Sequence, residues 1–131
     1  MTRILLIGGG AFGRMHAAAL RRLGTAPIVF DPGPASRAAM PDLRFCDTLA
    51  DGPAHCDAAI VATPPATHIA LAEAVLHAGR DLFLEKPATE TAAQSVALAQ
   101  LAARTGRIAQ VGLYFRFHPK GDLSGLMERD S

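Results

Sequence analysis

The first fourteen residues, Met1-Thr-Arg-Ile-Leu-Leu-Ile-Gly8-Gly-Gly10-Ala-Phe-Gly13-Arg14, decide most of the fold. A short apolar strand runs directly into the pattern G-x-G-x-x-G, and a helical segment follows it. Gly8 permits a tight turn, Gly10 lets backbone approach a pyrophosphate, and Gly13 lets the helix press close to the sheet. The helix N-terminus then presents free N–H groups and the positive end of its dipole to the anion.

An acidic residue follows at the distance that this motif requires. The apolar run Pro27-Ile-Val-Phe-Asp31 ends on a carboxylate 23 residues after Gly8. Asp31 is placed to accept hydrogen bonds from an adenosine ribose. A glycine motif alone is weak evidence and can be a fortuitous turn. The strand, the helix and the acid together predict dinucleotide binding.

Asp31 also bears on the choice of cofactor. Its carboxylate favours a free 2′-hydroxyl and repels a 2′-phosphate, so we predict NAD in preference to NADP. Arg37 lies close enough in sequence to soften that repulsion. It is more simply interpreted as a solvated residue on the following helix, although the sequence leaves both interpretations open.

Composition limits the class of protein. A chain of 131 residues with 50% hydrophobic content predicts one domain with a substantial core. A net charge of +1 gives no electrostatic case for nucleic acid or a membrane surface, and no apolar run reaches spanning length. Cys46 and Cys56 lack metal-ligand spacing, so we predict no metal and favour buried thiols over a disulfide. With the chain beginning in its first strand, we expect no signal peptide and a cytoplasmic location.

Strands and helices alternate along the chain. We predict strands at 3–7, 28–30, 43–46, 58–62, 82–84 and 107–113, and helices at 11–23, 35–40, 66–78 and 89–105. Asp47 is expected to cap a single turn before Asp51-Gly-Pro53. Such a βαβ succession with short connections predicts an α/β fold of the Rossmann type. Its sheet is doubly wound and mostly parallel, and lies in a single three-layer αβα domain.

Two later loops leave strands on the side where ligands bind in such sheets. One is Ala62-Thr63-Pro64-Pro65-Ala-Thr67-His68, and the other is Glu85-Lys86-Pro87. Lys86 could orient a substrate hydroxyl or stabilise a developing alkoxide in a partly desolvated cleft. Taken singly, Glu85-Lys86-Pro87 is more typical of a solvated turn, His68 of a helix-entry residue and Thr67 of an N-cap.

The combination of these motifs carries more weight than any one of them. His16 follows Gly13 by three residues, and Val111-Gly112 precedes Arg116-Phe117-His-Pro119. In this order and spacing, the chain to about Pro119 resembles the N-terminal half of the glucose–fructose oxidoreductase / inositol dehydrogenase family (Gfo/Idh/MocA). The resemblance implies an NAD- or NADP-dependent oxidoreductase that acts on sugars, cyclitols or related polyols.

The resemblance also implies roles for individual residues. Gly8, Gly10 and Gly13 would hold the pyrophosphate, with backbone N–H groups from Ala11 and Phe12, and Asp31 would hold the adenosine ribose. The nicotinamide end and the substrate would be lined by Thr63, Pro64, His68, Glu85 and Lys86. Lys86 is the implied catalytic lysine and His68 a weaker catalytic candidate.

Two family-matching positions stay open. His16 has no role that we can derive, and a packing or capping histidine is favoured. Arg116 would contact the cofactor or anchor the exit to a second domain, and the sequence does not separate these roles.

The chain departs from the family pattern in its length. Residues 1–119 are predicted as the NAD(P)-binding domain, and 120–131 as a tail or closing helix. Family members continue into a substrate domain that selects the substrate and supplies an Asp-x-x-x-His-like pair with the acid/base histidine. We find no such pair in 120–131, so we expect the chain alone to be inactive and to form a homo-oligomer or bind a partner chain.

Three interpretations follow from that departure. The chain is an enzyme fragment or subunit, a stand-alone dinucleotide sensor or carrier, or an interaction protein with a relict pocket. The third is disfavoured because the glycine motif, Asp31 and Lys86 are all intact.

Overall fold

The computed structural model describes residues 2–112 as one parallel sheet flanked by helices. The strands are β1 (Ile4–Ile7), β2 (Ile28–Phe30), β3 (Arg44–Phe45), β4 (Ala58–Val61), β5 (Asp81–Leu84) and β6 (Ala109–Val111). The helices are α1 (Ala11–Arg22), α2 (Pro34–Ala39), α3 (Asp51–Ala54), α4 (His68–His77) and α5 (Ala92–Thr105), with a 3₁₀ turn at Pro65–Thr67. This is the alternation that the sequence predicts.

The strand order is β3-β2-β1-β4-β5-β6, and every neighbouring pair is parallel. Leu5 of β1 stands beside Ile28 of β2 on one side and Ala59 of β4 on the other. The chain therefore winds outward in two directions from β1, which places a topological switch point between β1 and β4. A crevice forms there at the carboxyl ends of the strands. The predicted Rossmann-type fold is confirmed.

Alternate residues of the central strand enter two separate cores. Leu5 and Ile7 pack in the larger core, which α4 and α5 cover with Leu76 and Leu101. Leu6 faces the opposite side and packs with Ala17 of α1. All three strand residues are buried, as expected when helices cover both faces of a parallel sheet.

Element boundaries differ from the sequence prediction where side chains or prolines intervene. The predicted helix at 66–78 is divided into the 3₁₀ turn and α4. The predicted helix at 89–105 begins at Ala92, because the Thr91 side chain accepts a hydrogen bond from the Gln94 N–H and caps it. The predicted strand at 107–113 is reduced to three residues.

The prediction that Asp47 caps a turn is wrong. The neighbouring hydroxyl of Thr48 accepts the hydrogen bond from the Asp51 N–H at 3.3 Å, and it donates to the Asp51 carboxylate at 2.6 Å. Leu49 and Ala50 form the turn, and Asp51-Gly-Pro53 lies inside α3 directly after it. A carboxylate could also accept such a bond, but the Asp47 carboxylate accepts a hydrogen bond from the Arg37 guanidinium instead.

The two cysteines are free thiols, Cys56 buried and Cys46 half-buried. Burial raises the pKa of each thiol above its ordinary value. Both are therefore thiols rather than thiolates at neutral pH, which makes them poor nucleophiles.

Several predictions concern residues 113–131, which lie outside the described part of the chain. These are the end of the predicted sixth strand, Arg116, the domain boundary at 119 and the tail at 120–131. Between residues 2 and 112, no helix combines the length and apolar character needed to cross a bilayer.

Candidate functional site

The turn from β1 into α1 is built so closely that only glycine fits. Gly8 has φ +105°, and a Cβ there would lie 2.4 Å from the Ala62 carbonyl oxygen at the end of β4. A Cβ on Gly13 would lie 1.9 Å from the Gly8 carbonyl oxygen. Both distances are far below any van der Waals contact, so the two glycines let α1 begin directly over the switch point.

The first turn of α1 presents backbone donors to that crevice. Gly10 is the N-cap residue and has no side chain to cap the helix. The intrahelical ladder starts with the Arg14 N–H bonded to the Gly10 carbonyl at 2.9 Å. The N–H groups of Ala11, Phe12 and Gly13 precede it and have no intrahelical acceptor. This end of α1 therefore has both the donors and the dipole to bind an anion.

Space for that anion is open at Gly10. No heavy atom lies within 4 Å of the position that a Gly10 Cβ would occupy. Packing within the protein therefore does not require glycine at position 10. Glycine there fits a ligand that approaches the backbone closely.

Asp31 follows β2 and forms three hydrogen bonds within the chain. Its Oδ2 accepts from the Gly9 N–H at 2.7 Å and from the Ser36 hydroxyl at 2.8 Å. Its Oδ1 accepts from the Gly33 N–H at 2.7 Å. A carboxylate has about four lone-pair positions, so capacity remains for a ligand hydroxyl.

These bonds keep Asp31 ionised. Partial burial raises the pKa of the carboxyl, but the hydrogen bonds from Gly33, Ser36 and Gly9 outweigh it, and the pKa lies below its ordinary value. A lowered pKa means that the bonds stabilise the fold above the unfolded-state pKa. That contribution is lost as the pH falls through the folded-state pKa. At neutral pH this end of the crevice carries a negative charge.

The Arg37 side chain contacts Asp47 and Phe45 rather than Asp31. Its guanidinium lies 3.3 Å from the Asp47 carboxylate and 4.9 Å from the centroid of the Phe45 ring. Both partners belong to the β3 side of the sheet. Of the two interpretations left open by the sequence, the structure favours an Arg37 engaged on the surface over one that offsets the charge of Asp31.

Two adjoining cavities follow the carboxyl edge of the sheet. The larger has a volume of about 710 Å³ and is lined by Gly8, Gly10, Phe30, Asp31 and Leu71, among others. The smaller has a volume of about 390 Å³ and is lined by Ala11, Phe12, Glu85 and Lys86, among others. Ala62, Thr63 and Pro64 line both cavities. Both cavities therefore border the turn after β4, and we refer to them together as the cleft.

Hydroxyl groups hold the turn after β4 together. The Thr67 hydroxyl donates to the Pro64 carbonyl at 2.7 Å and lies 2.6 Å from the Thr63 hydroxyl. Thr67 occupies the N-cap position of α4, as predicted, but its side chain makes no capping bond. Its hydroxyl stabilises the cleft wall instead.

His68 lies beneath this wall and is fully buried. Its Nε2 is 2.8 Å from the Thr63 carbonyl oxygen, and its Nδ1 is 2.8 Å from the Pro87 carbonyl oxygen. Carbonyl oxygens only accept, so the ring donates to them, one at a time when neutral and both when cationic. His68 thereby joins the loop after β4 to the loop after β5, and neither nitrogen is exposed to a ligand.

Glu85 and Lys86 lie at the other end of the cleft, and the Lys86–Pro87 peptide bond is cis. The Glu85 N–H donates to the Val61 carbonyl at 3.0 Å, which extends the pairing of β4 with β5. The Glu85 carboxylate lies 2.5 Å from Nε2 of His16, on α1. His16 also packs edge-on against the Phe83 ring.

Sequence reasoning missed two of these contacts. Ser36 was absent from the candidate residues, although a hydroxyl five residues after Asp31 at the start of a helix was an available signal. The pairing of His16 with Glu85 joins residues 69 positions apart. No spacing in the sequence indicates it.

The donors, the charge and the cleft fit a dinucleotide, which makes residues 2–112 a nucleotide-binding Rossmann domain. Residues 2–113 match the model of an oxidoreductase family with an NAD-binding Rossmann fold, and the chain belongs to that family, Gfo/Idh/MocA. A nicotinamide dinucleotide is accordingly its class of cofactor.

Individual relatives agree with this assignment. The chain is 37% identical over 132 residues to an inositol 2-dehydrogenase of Acidothermus cellulolyticus, covering 90% of this chain and 38% of that protein. It is 31% identical over 124 residues to an inositol 2-dehydrogenase of Rhizobium meliloti, with the same coverage. The solved UDP-N-acetylglucosamine 3-dehydrogenase of Acidithiobacillus ferrooxidans superposes with a TM-score of 0.82 at 28% identity, over 98% of this chain and 41% of that one. The chain thus spans well under half the length of its relatives.

The glycine turn predicts opposite outcomes for two alanine substitutions. Gly13→Ala should destabilise the chain by about 3 kcal/mol or more, because the methyl group collides with the Gly8 carbonyl. Gly10→Ala should leave the free energy of unfolding within about 0.5 kcal/mol of wild type, because that position is open. It should nevertheless abolish NADH binding. Urea unfolding and a fluorescence titration with NADH measure the two effects, and wild-type NADH affinity in Gly10→Ala would exclude this turn as the pyrophosphate site.

Proposed function

We propose that this chain is the cofactor-binding part of an NAD-dependent oxidoreductase that acts on a CH–OH group of a cyclitol, sugar or related polyol. The observation that carries the proposal is the pair of cavities beside the glycine turn, which share the wall after β4, with Asp31 lining one and Lys86 the other. The names of the relatives, inositol and sugar-nucleotide dehydrogenases, support the substrate class.

Each part of the cleft has a proposed task. Gly8, Gly10 and Gly13 admit the pyrophosphate, and the N–H groups of Ala11 and Phe12 bind it. Asp31 accepts hydrogen bonds from the adenosine ribose. Thr63, Pro64 and Glu85 line the nicotinamide end.

A bound nicotinamide would supply hydride transfer, and Lys86, which lines the smaller cavity, would face the substrate. The Lys86 ammonium orients the reacting hydroxyl and stabilises the negative charge that develops on its oxygen. The reaction also needs a proton acceptor and a surface that holds the substrate in place. We assign these to a further domain, on this polypeptide or on a partner.

His68 is better suited to holding this site than to proton transfer. Its ring is buried, and both nitrogens contact backbone carbonyls. A general base must reach the proton that it removes. We therefore assign His68 a positioning role, in which it keeps the two loops of the nicotinamide end together.

NAD is the favoured dinucleotide. Asp31 is held ionised by three donors, and a 2′-phosphate placed beside it would be repelled. Arg37, a cation close to Asp31 in sequence, pairs with Asp47 instead of offsetting this charge. We also propose a cytoplasmic location, because Cys46 and Cys56 are both free thiols.

Cofactor binding should stabilise the folded chain. At about 100 times its dissociation constant, NAD(H) should add about 2.7 kcal/mol to the free energy of unfolding and raise Tm by about 10 °C. Thermal melts with and without NAD(H) and NADP(H) measure this shift. If saturating concentrations of both leave the melting curve unchanged, the proposed function is wrong.

Asp31 should control cofactor preference. Asp31→Ala should narrow the ratio of NAD to NADP affinity, because it removes the ribose acceptor and the repulsion of the 2′-phosphate together. Parallel calorimetric titrations give the ratio. Arg37→Ala serves as a control whose ratio should stay near wild type, and an unchanged ratio in Asp31→Ala would show that this carboxylate does not contact the ribose.

Assembly and activity should depend on the further domain. On the α1 side of the sheet an open cavity of about 350 Å³ is lined by Ile60, Phe83 and Ile108, among others, and Ile108 is 68% exposed. An open apolar concavity of this kind can receive an apolar side chain of a partner surface. We propose that the isolated chain forms a homo-oligomer, most simply a two-fold dimer, or binds a partner carrying the substrate domain.

The purified chain alone should not oxidise inositol, glucose or similar polyols. Robust turnover would overturn this expectation and would mean that a catalytic base lies within this chain. Light scattering tests the assembly separately, and a monodisperse monomer without any partner would contradict it.

A further inference from the structure

The contact between His16 and Glu85 links the two parts of the smaller cavity. His16 belongs to α1, whose first turn presents the pyrophosphate donors, and Glu85 precedes Lys86 in the loop after β5. Nε2 of His16 and Oε1 of Glu85 are 2.5 Å apart, and their side chains are only 22% and 15% exposed. An ion pair or hydrogen bond so sheltered from solvent is screened less than a surface pair.

His16 and Glu85 each make one further contact with the surrounding structure. The His16 ring meets the Phe83 ring edge-on, with centroids 5.4 Å apart and an interplanar angle of 71°. The Glu85 N–H is bonded to the Val61 carbonyl. The contact therefore joins two anchored groups, and it costs little side-chain freedom to keep.

The position of His16 in α1 matters for the cleft. Phe12 precedes His16 by four residues, so their side chains share one face of α1. Phe12 lines the smaller cavity together with Glu85 and Lys86. A bond from His16 to Glu85 consequently fixes this face of α1 against the loop that carries the lysine.

We propose that His16 is a positioning residue for the nicotinamide end of the site. By holding Glu85, it sets the distance between the first turn of α1 and Lys86, and so the width of the cavity that receives the nicotinamide riboside. This inference rests on the proposed function, and it gives His16 a task beyond packing.

Comparing the binding of two ligands distinguishes this positioning role of His16 from a general structural role. NAD⁺ and ADP-ribose share the adenosine ribose and pyrophosphate, and only NAD⁺ carries the nicotinamide. His16→Ala should weaken NAD⁺ binding about tenfold, the effect of losing one hydrogen bond to a charged group, and leave ADP-ribose binding nearly unchanged. His16→Gln, which keeps an N–H donor, should restore part of the lost NAD⁺ affinity. His77→Ala, at the exposed end of α4, is the matched control and should alter neither affinity.

A double-mutant cycle tests whether His16 acts through Glu85. In a Glu85→Ala background, adding His16→Ala should cause no further loss of NAD⁺ affinity, because its partner is already absent. Circular dichroism of each variant verifies that it is folded, and Glu85→Ala approaches the same contact from the other side if His16→Ala is unstable.

Three results would overturn the inference. They are equal losses for both ligands in His16→Ala, no loss for either, and fully additive losses in the cycle. Failure of the wild-type chain to bind ADP-ribose and NAD⁺ at all is a separate result. It would overturn the proposed function, and the role of His16 with it.

Discussion

The structure depends on the close approach of the glycine turn to the end of β4. A Cβ on Gly8 would meet the Ala62 carbonyl at 2.4 Å, and one on Gly13 would meet the Gly8 carbonyl at 1.9 Å. Protein interiors have little free volume, so such contacts are not relieved by small shifts. They fix the start of α1 above the switch point, where its free N–H groups face the crevice. The anion site is therefore made of backbone and needs no particular side chain.

The Asp31 end of the cleft is coupled to the glycine turn by one carboxylate. Asp31 accepts a hydrogen bond from the Gly9 N–H, inside the glycine turn, while Ser36 and Gly33 hold it from the side of α2. Burial disfavours the charge and the three donors favour it, and the donors prevail. The same bonds that position the carboxylate keep it ionised. Geometry and charge at this end thus have a common cause.

Two histidines hold the opposite end. His68 joins the loops after β4 and β5 through their carbonyl oxygens, and His16 contacts Glu85 from α1. In the proposed function both rings hold the site while Lys86 acts on the substrate. Histidine suits such contacts because one planar ring offers two polar atoms on opposite sides. The loop carrying Lys86 is thereby connected to both neighbouring walls of the cleft.

The sequence by itself determined the order of elements, the parallel sheet and the dinucleotide motif. These follow from local rules: apolar runs mark buried strands, glycines mark the turn, and an acid ends the second strand. Gly8, Gly10, Gly13 and Asp31 were predicted from spacing alone, because the turn and the proposed ribose acceptor lie within one βαβ unit. Thr63, Pro64, Glu85 and Lys86 were named from family resemblance, and the structure places them along the cleft.

Only the tertiary structure decided how these residues are held. It placed His68 under the cleft wall, turned Arg37 toward Asp47, and brought His16 to Glu85 across 69 positions. It also moved the turn cap from Asp47 to Thr48. Periodicity and spacing describe a residue's neighbours along the chain. Contacts between distant segments depend on how strands are ordered and helices packed, and that order is set by burial of the whole core.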